Sequence, residues 1–139
     1  MIVIDTNVIS EAMSSAANRA VIDWLDTRAR DELYTTSVTA AELYAGAAIL
    51  PDGKRRRRLS RSIDEILSID FEGRVLPFDA AAASAYAGIV ARRRSSGRPV
   101  AIFDAQIAAI ALVRGGAVAT RNGRDFDGTG VAVIDPWTV

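Results

Sequence analysis

Hydrophobic positions along this chain switch repeatedly between short continuous runs and helical spacing. Residues 1–4 form an uninterrupted apolar run, which reads as a buried strand. Val21, Ile22 and Leu25 then fall at helical intervals and predict a helix over 18–30. Residues 33–35 read as a short strand. Thr36 or Ser37 can cap a helix that runs to about residue 50, where Pro51 and Gly53 close it. Leu59, Ile63, Ile66 and Leu67 make one stripe, so 54–69 reads as an amphipathic helix. A third strand is expected over 74–78. Asp79 caps an Ala-rich helix to Ser96, ended by Gly97 and Pro99. A further helix over 101–114 stops at Gly115 and Gly116, and strands over 117–120 and 131–134 follow.

Strands alternating with helices predict an α/β fold of three layers, with a central, mostly parallel five-stranded sheet and helices on both faces. The 139 residues are expected to form a single domain, 1–139. In such sheets the reactive crevice lies outside the carboxyl ends of the strands, and that is where polar residues become informative.

Composition narrows the chemistry. Half the residues are hydrophobic and 24% are charged, as in a soluble globular protein. The chain has no Cys and no His, which excludes disulfides, thiol catalysis, Ser-His-Asp triads and Cys/His zinc sites. No apolar run approaches the ~18 residues of a membrane span. The chain opens directly into an apolar strand without a basic leader, so a cytoplasmic location is expected. Net charge is zero, with 17 cations against 17 acids, and Lys54 is the only Lys.

Four acids stand where the topology sends residues to one crevice. Asp5 follows the first strand and could equally cap a helix after it. Glu42 shares a helical face with Val38, Ala45, Gly46 and Ile49, where an unpaired carboxylate would cost several kcal/mol. Asp104 continues into Ile107, Ala108 and Ala111, in a first turn where the helix dipole also welcomes an acid. Asp125 follows the strand over 117–120, in a loop with Thr120 and Asn122. Gathered carboxylates repel unless a cation neutralises them, and oxygen-only ligands select Mg²⁺ or Mn²⁺.

The segments Met1–Glu11 (MIVIDTNVISE), Thr39–Gly46 (TAAELYAG), Leu76–Asp79 (LPFD), Asp104–Ala109 (DAQIAA), Ala119–Asn122 (ATRN) with Asp125 and Phe126, and Asp135–Trp137 (DPW) resemble, in order and spacing, the PIN-domain ribonucleases. The resemblance is narrower still to the VapC toxins of bacterial toxin–antitoxin pairs, in their FitB-like branch, and covers nearly the whole chain. It implies a metal-dependent endoribonuclease, the toxin of a type II toxin–antitoxin pair. Activated water would hydrolyse RNA phosphodiester bonds, leaving a 5′-phosphate and a 3′-hydroxyl. It implies that Asp5 and Asp104 bind Mg²⁺, with Mn²⁺ able to substitute, and that Glu42 and Asp125 complete the site through metal or water. The fourth position stays open: the family can carry Asp where this chain has Asn122, while Asp125 is the one that can hold charge, and it is favoured. Thr6 and Asn7 are expected to orient Asp5 or the phosphate, and Thr120 and Asn122 to hold the loop or substrate. The implied partners are RNA, a VapB/FitA-like antitoxin and a second copy of the chain.

Two rival readings are weighed. A phosphoryl-transfer domain of receiver or dehalogenase type would want a Lys near the later strands and, for the latter, an acid at position 7, which is Asn7. A non-catalytic PIN module that binds RNA or a protein would not need Asp5, Glu42 and Asp104. The run Lys54–Arg58 and the cluster Arg92–Arg94 read first as solvated helix faces, and secondly as cations for phosphates or an acidic partner. Trp24, Tyr44, Phe78 and Tyr86 are expected in the core or at a subunit contact.

Overall fold

A computed structural model describes residues 1–139. Five strands, β1 (Ile2–Ile4), β2 (Leu33–Thr36), β3 (Val75–Leu76), β4 (Ala117–Ala119) and β5 (Val133–Ile134), pair in the order β3-β2-β1-β4-β5. Every pairing is parallel, where a mostly parallel sheet was expected. The chain winds outward from β1 to β3, then returns to start again at β4. The switch point therefore lies between β1 and β4, where doubly wound sheets place their ligands.

Six helices cover the sheet: α1 (Thr6–Met13), α2 (Arg19–Asp26), α3 (Ser37–Ala48), α4 (Lys54–Glu65), α5 (Ala80–Ser95) and α6 (Ile102–Arg114). Alternation along β1 divides the core in two. Val3 faces one side, with Val118, Ala82, Ile89, Ile107 and Ile110. Ile2 and Ile4 face the other, with Val8, Val21, Trp24, Leu43 and Ile63. No helix is long and apolar enough to cross a membrane.

Several expectations need correction. Helix α1 was not anticipated beyond a possible cap at Asp5. The helix expected over 18–30 ends at Asp26, followed by a 3₁₀ turn over Arg30–Glu32. The helix expected over 54–69 stops at Glu65 and continues as a π-helical turn over Ile66–Asp70. The third strand is only two residues long. Arg93 is not a solvated cation: it is 6% exposed and lies in the core between α5 and the loop after β4. Trp24 is buried, whereas Tyr44 is 42% exposed and donates its hydroxyl to Asp64 Oδ1 at 2.7 Å. Phe78 and Tyr86 pack edge to face, with ring centroids 5.9 Å apart.

The stop at the end of α6 follows the sequence signal. Gly115 adopts φ 69°, a left-handed conformation that costs Gly little. A Cβ on Gly116 would lie 3.3 Å from the Met1 carbonyl oxygen, so the small residue lets β4 start flush against β1.

Candidate active site

Asp5 leaves β1 at its carboxyl end and is 4% exposed. It is both a cap and a site residue: one carboxylate oxygen accepts the Thr6 N–H at 2.8 Å, starting α1. The other accepts the Thr120 hydroxyl at 2.7 Å and the Asn7 side-chain amide at 3.3 Å. Thr120 is fully buried and saturated, since its oxygen also accepts from Asn7 Nδ2 at 3.1 Å and from the Asn122 N–H at 3.1 Å. Asn7 Oδ1 in turn accepts the Arg121 N–H at 3.2 Å. This network fastens the start of α1 to the loop after β4 across the switch point.

Glu42 enters from α3. Its Oε1 accepts the Thr6 hydroxyl at 2.8 Å, and that hydroxyl stands 3.1 Å from the Thr39 hydroxyl. The expectation that Glu42 lies on an inward apolar face does not hold. Ala45 and Gly46 are exposed and Ile49 is 84% exposed, so the half-burial of Glu42 comes from its contact with α1. Asp104, half-buried in the first turn of α6, does continue into a buried face of Ile107, Ala108 and Ala111.

Asp5, Thr6, Asn7, Glu42, Asp104 and Asn122 line one open cleft of about 450 Å³. Ser10, Glu11, Arg121 and Trp137 complete its wall. Those four lie in the segments that carry the family resemblance, where none of them is given a site role. Asp125 does not line the cleft: it sits exposed on the 3₁₀ turn Gly123–Phe126. Its charge still reaches the site, raising the proton affinity of Asp5 and Asp104. A larger groove of about 700 Å³, between α1, α2 and the π-helical turn, holds none of the four predicted acids and is mostly apolar.

Asp5, Glu42 and Asp104 each hold protons more tightly than usual. Asp104 is pushed up to about 6, first by lost hydration and then by the charges of Asp5, Asp125 and Glu42, against a smaller opposing effect of Arg93. Lost hydration also raises Asp5, opposed by its hydrogen bonds to Thr120 and Thr6. Glu42 is raised by lost hydration and by Asp5, and lowered by Thr6. A divalent cation would relieve this repulsion. No three carboxylates converge closely enough to form a ready ligand set. The side-chain oxygens of Asp5, Glu42, Asp104 and Asn122 in the cleft are the donors that a hard cation such as Mg²⁺ takes, with one or two carboxylates and several waters.

The family model for the PIN domain matches residues 2–131. The chain belongs to the PIN domain family. This PIN domain is 41% identical over 137 residues to "VapC ribonuclease Y4jK" of Sinorhizobium fredii, covering 99% of this chain and 98% of that one. It is 39% identical over 137 residues to "Toxin FitB" of Neisseria gonorrhoeae, with 99% of each covered. Its backbone superposes on the crystal structure of FitAcB from Neisseria gonorrhoeae with a TM-score of 0.93 at 38% identity, covering 100% of both chains. The three-layer fold and the family expected from the sequence are thus both found.

Proposed function

We propose that this PIN domain is a Mg²⁺- or Mn²⁺-dependent endoribonuclease and the toxin of a toxin–antitoxin pair. The observation that carries this reading is the cleft at the β1/β4 switch point, where Asp5, Glu42 and Asp104 gather with raised proton affinity. The relatives called a ribonuclease and a toxin support it. Asp5 and Asp104 would hold the cation, which when bound activates water and neutralises charge on the scissile phosphate. Thr120 and Asn7 hold the Asp5 carboxylate in one orientation, and Thr6 does the same for Glu42. Asn122 bounds the space for the substrate. Asp125 acts through its field, from outside the cleft wall.

The test is cleavage of single-stranded RNA by rigorously purified protein with Mn²⁺, with and without excess EDTA. Cleavage is expected with the metal and none with the chelator; RNA cutting that survives EDTA would overturn the metal dependence. In the same assay Asp125→Asn should lower the rate about 10-fold, as for a group acting behind the ligands. A complete loss with Asp125→Asn would instead make it a direct ligand. A non-catalytic RNA-binding module would bind the RNA in both arms and cut it in neither.

The FitAcB neighbour supports an antitoxin partner. A homodimer is supported by the apolar residues that α6 leaves exposed: Ile102 at 62%, Phe103 at 51% and Val113 at 40%. A monomer by light scattering at micromolar concentration would remove the dimer from this reading.

A further inference from the structure

The cleft wall carries four acids, Asp5, Glu11, Glu42 and Asp104, and one cation, Arg121. Such a wall repels a polyanion everywhere except at that cation. Arg121 has unusual surroundings for an Arg beside four carboxylates. Its side chain makes no ion pair and no hydrogen bond: the four ion pairs of the chain belong to Arg19, Arg57, Arg98 and Arg114. Its guanidinium lies instead over the ring of Trp137, 5.1 Å from the ring centroid.

Both partners are fixed from behind. The Arg121 backbone N–H donates to Asn7 Oδ1, one step from Asp5. Trp137 is half-buried against the core and held in a tight turn, its backbone N–H donating to Asp135 Oδ1 at 2.9 Å. It is the one hydrophobic residue among the ten lining the cleft. The contrast with Arg74 is informative. Arg74 also stacks on an aromatic ring, that of Phe71, but its guanidinium is consumed by the carbonyls of Arg30, Leu33 and Asp70. Arg121 keeps its whole donor fork for a ligand, and that fork matches a phosphate.

We propose that Arg121 seats a backbone phosphate of single-stranded RNA beside the one being cut, and that Trp137 is the positioning residue that holds its guanidinium ready. This rests on the ribonuclease reading above. The stack restricts the rotamers of a long side chain before the substrate arrives, so less freedom is lost on binding. It also keeps the cation from collapsing onto the carboxylates and occupying the place of the metal.

The experiment follows binding of a fluorescently labelled single-stranded RNA in EDTA as KCl is raised, alongside Mn²⁺-dependent cleavage. Arg121→Met should flatten the slope of log K against log salt by about 0.7, the share of one phosphate contact on a single strand. Arg121→Lys should keep the slope. Trp137→Ala should weaken binding about three-fold at unchanged slope, and Trp137→Phe should restore it. In cleavage, Arg121→Met should raise KM more than it lowers kcat. Arg28→Met is the matched control, since Arg28 lies 5.1 Å over Trp24 and lines no part of the cleft. A wild-type slope in Arg121→Met, or an equal flattening in Arg28→Met, overturns this inference and leaves Mn²⁺-dependent cleavage standing. A wild-type chain that neither binds nor cuts RNA overturns both.

Discussion

Asp104→Asn should abolish RNA cleavage and, in the metal-free protein at pH 8, raise the melting temperature. The Asp104 carboxyl titrates near 6 in the fold, against 3.8 ordinarily. The folded state therefore binds the proton more tightly than the unfolded chain does. Its stability contribution is complete below pH 4 and is lost as pH rises through 6. At pH 8 wild type carries the ionised group, short of hydration and repelled by Asp5, Asp125 and Glu42, whereas Asn carries the shape without the charge. Allowing for screening at a half-exposed position, the gain is about 1–2 kcal/mol, or roughly 4–8 °C. It should vanish at pH 4, where wild type is protonated too. Added Mn²⁺ should stabilise wild type and leave the variant unmoved. Calorimetry over pH, with and without Mn²⁺, checks all of this; a variant melting below wild type at pH 8 would contradict the repulsion described for the cleft.

Arg93→Met should be far more destabilising than the same exchange at its neighbours Arg92 and Arg94, although the sequence shows only one member of a basic cluster. The buried guanidinium pairs with no carboxylate. It donates through Nε to the Arg98 carbonyl at 2.6 Å, and through Nη1 to the carbonyls of Arg124 at 3.4 Å, Asp125 at 3.3 Å and Asp127. One cation thus holds the end of α5 and the whole turn that carries Asp125. Hydrogen bonds to a charged group are worth about 1.5–3 kcal/mol each, offset by the cost of burying the charge. Met fills the volume but leaves the carbonyls without a donor, so a net loss of about 3 kcal/mol is expected, read by urea unfolding. Arg93→Lys should recover part of it by reaching one or two carbonyls. Arg92→Met and Arg94→Met, at exposed positions, should stay within about 0.5 kcal/mol of wild type. If all three variants were equally mild, the clamp would be idle.

Asp5 and Asp104 were legible because each sits beside an element boundary, and the rule for parallel sheets sends those boundaries to one edge; Glu42 stands in the second turn of α3, a helix that begins at that same edge. The order of strands and helices followed from periodicity for the same local reason. Helix α1 was less visible because it turns only Val8 and Ile9 fully into the core, too few to establish a stripe. Arg93 was misread because its four acceptors come from carbonyls up to 34 residues away, which no local pattern records. The exposed face beyond Glu42 was misread for the converse reason: small apolar residues look buried, yet nothing covers Gly46 or Ile49. Arg121 and Trp137 carried no signal individually. Their meaning lies in a pairing between the loops after β4 and β5.

The bond from Thr120 to Asp5 has a consequence in time. It joins residues separated by 115 positions, and β4 can pair with β1 only after every crossover helix has been made. Parallel pairing at such separation is slow and comes late. While the chain is being synthesised, Asp5, Glu42 and Asp104 all emerge before the hydroxyl that orients Asp5 exists. A ribosome-bound fragment ending before β4 therefore carries the acids without the cleft. The bond that orients Asp5 thus forms only after β4 and the loop behind it have been made, later than all three of the acids it serves.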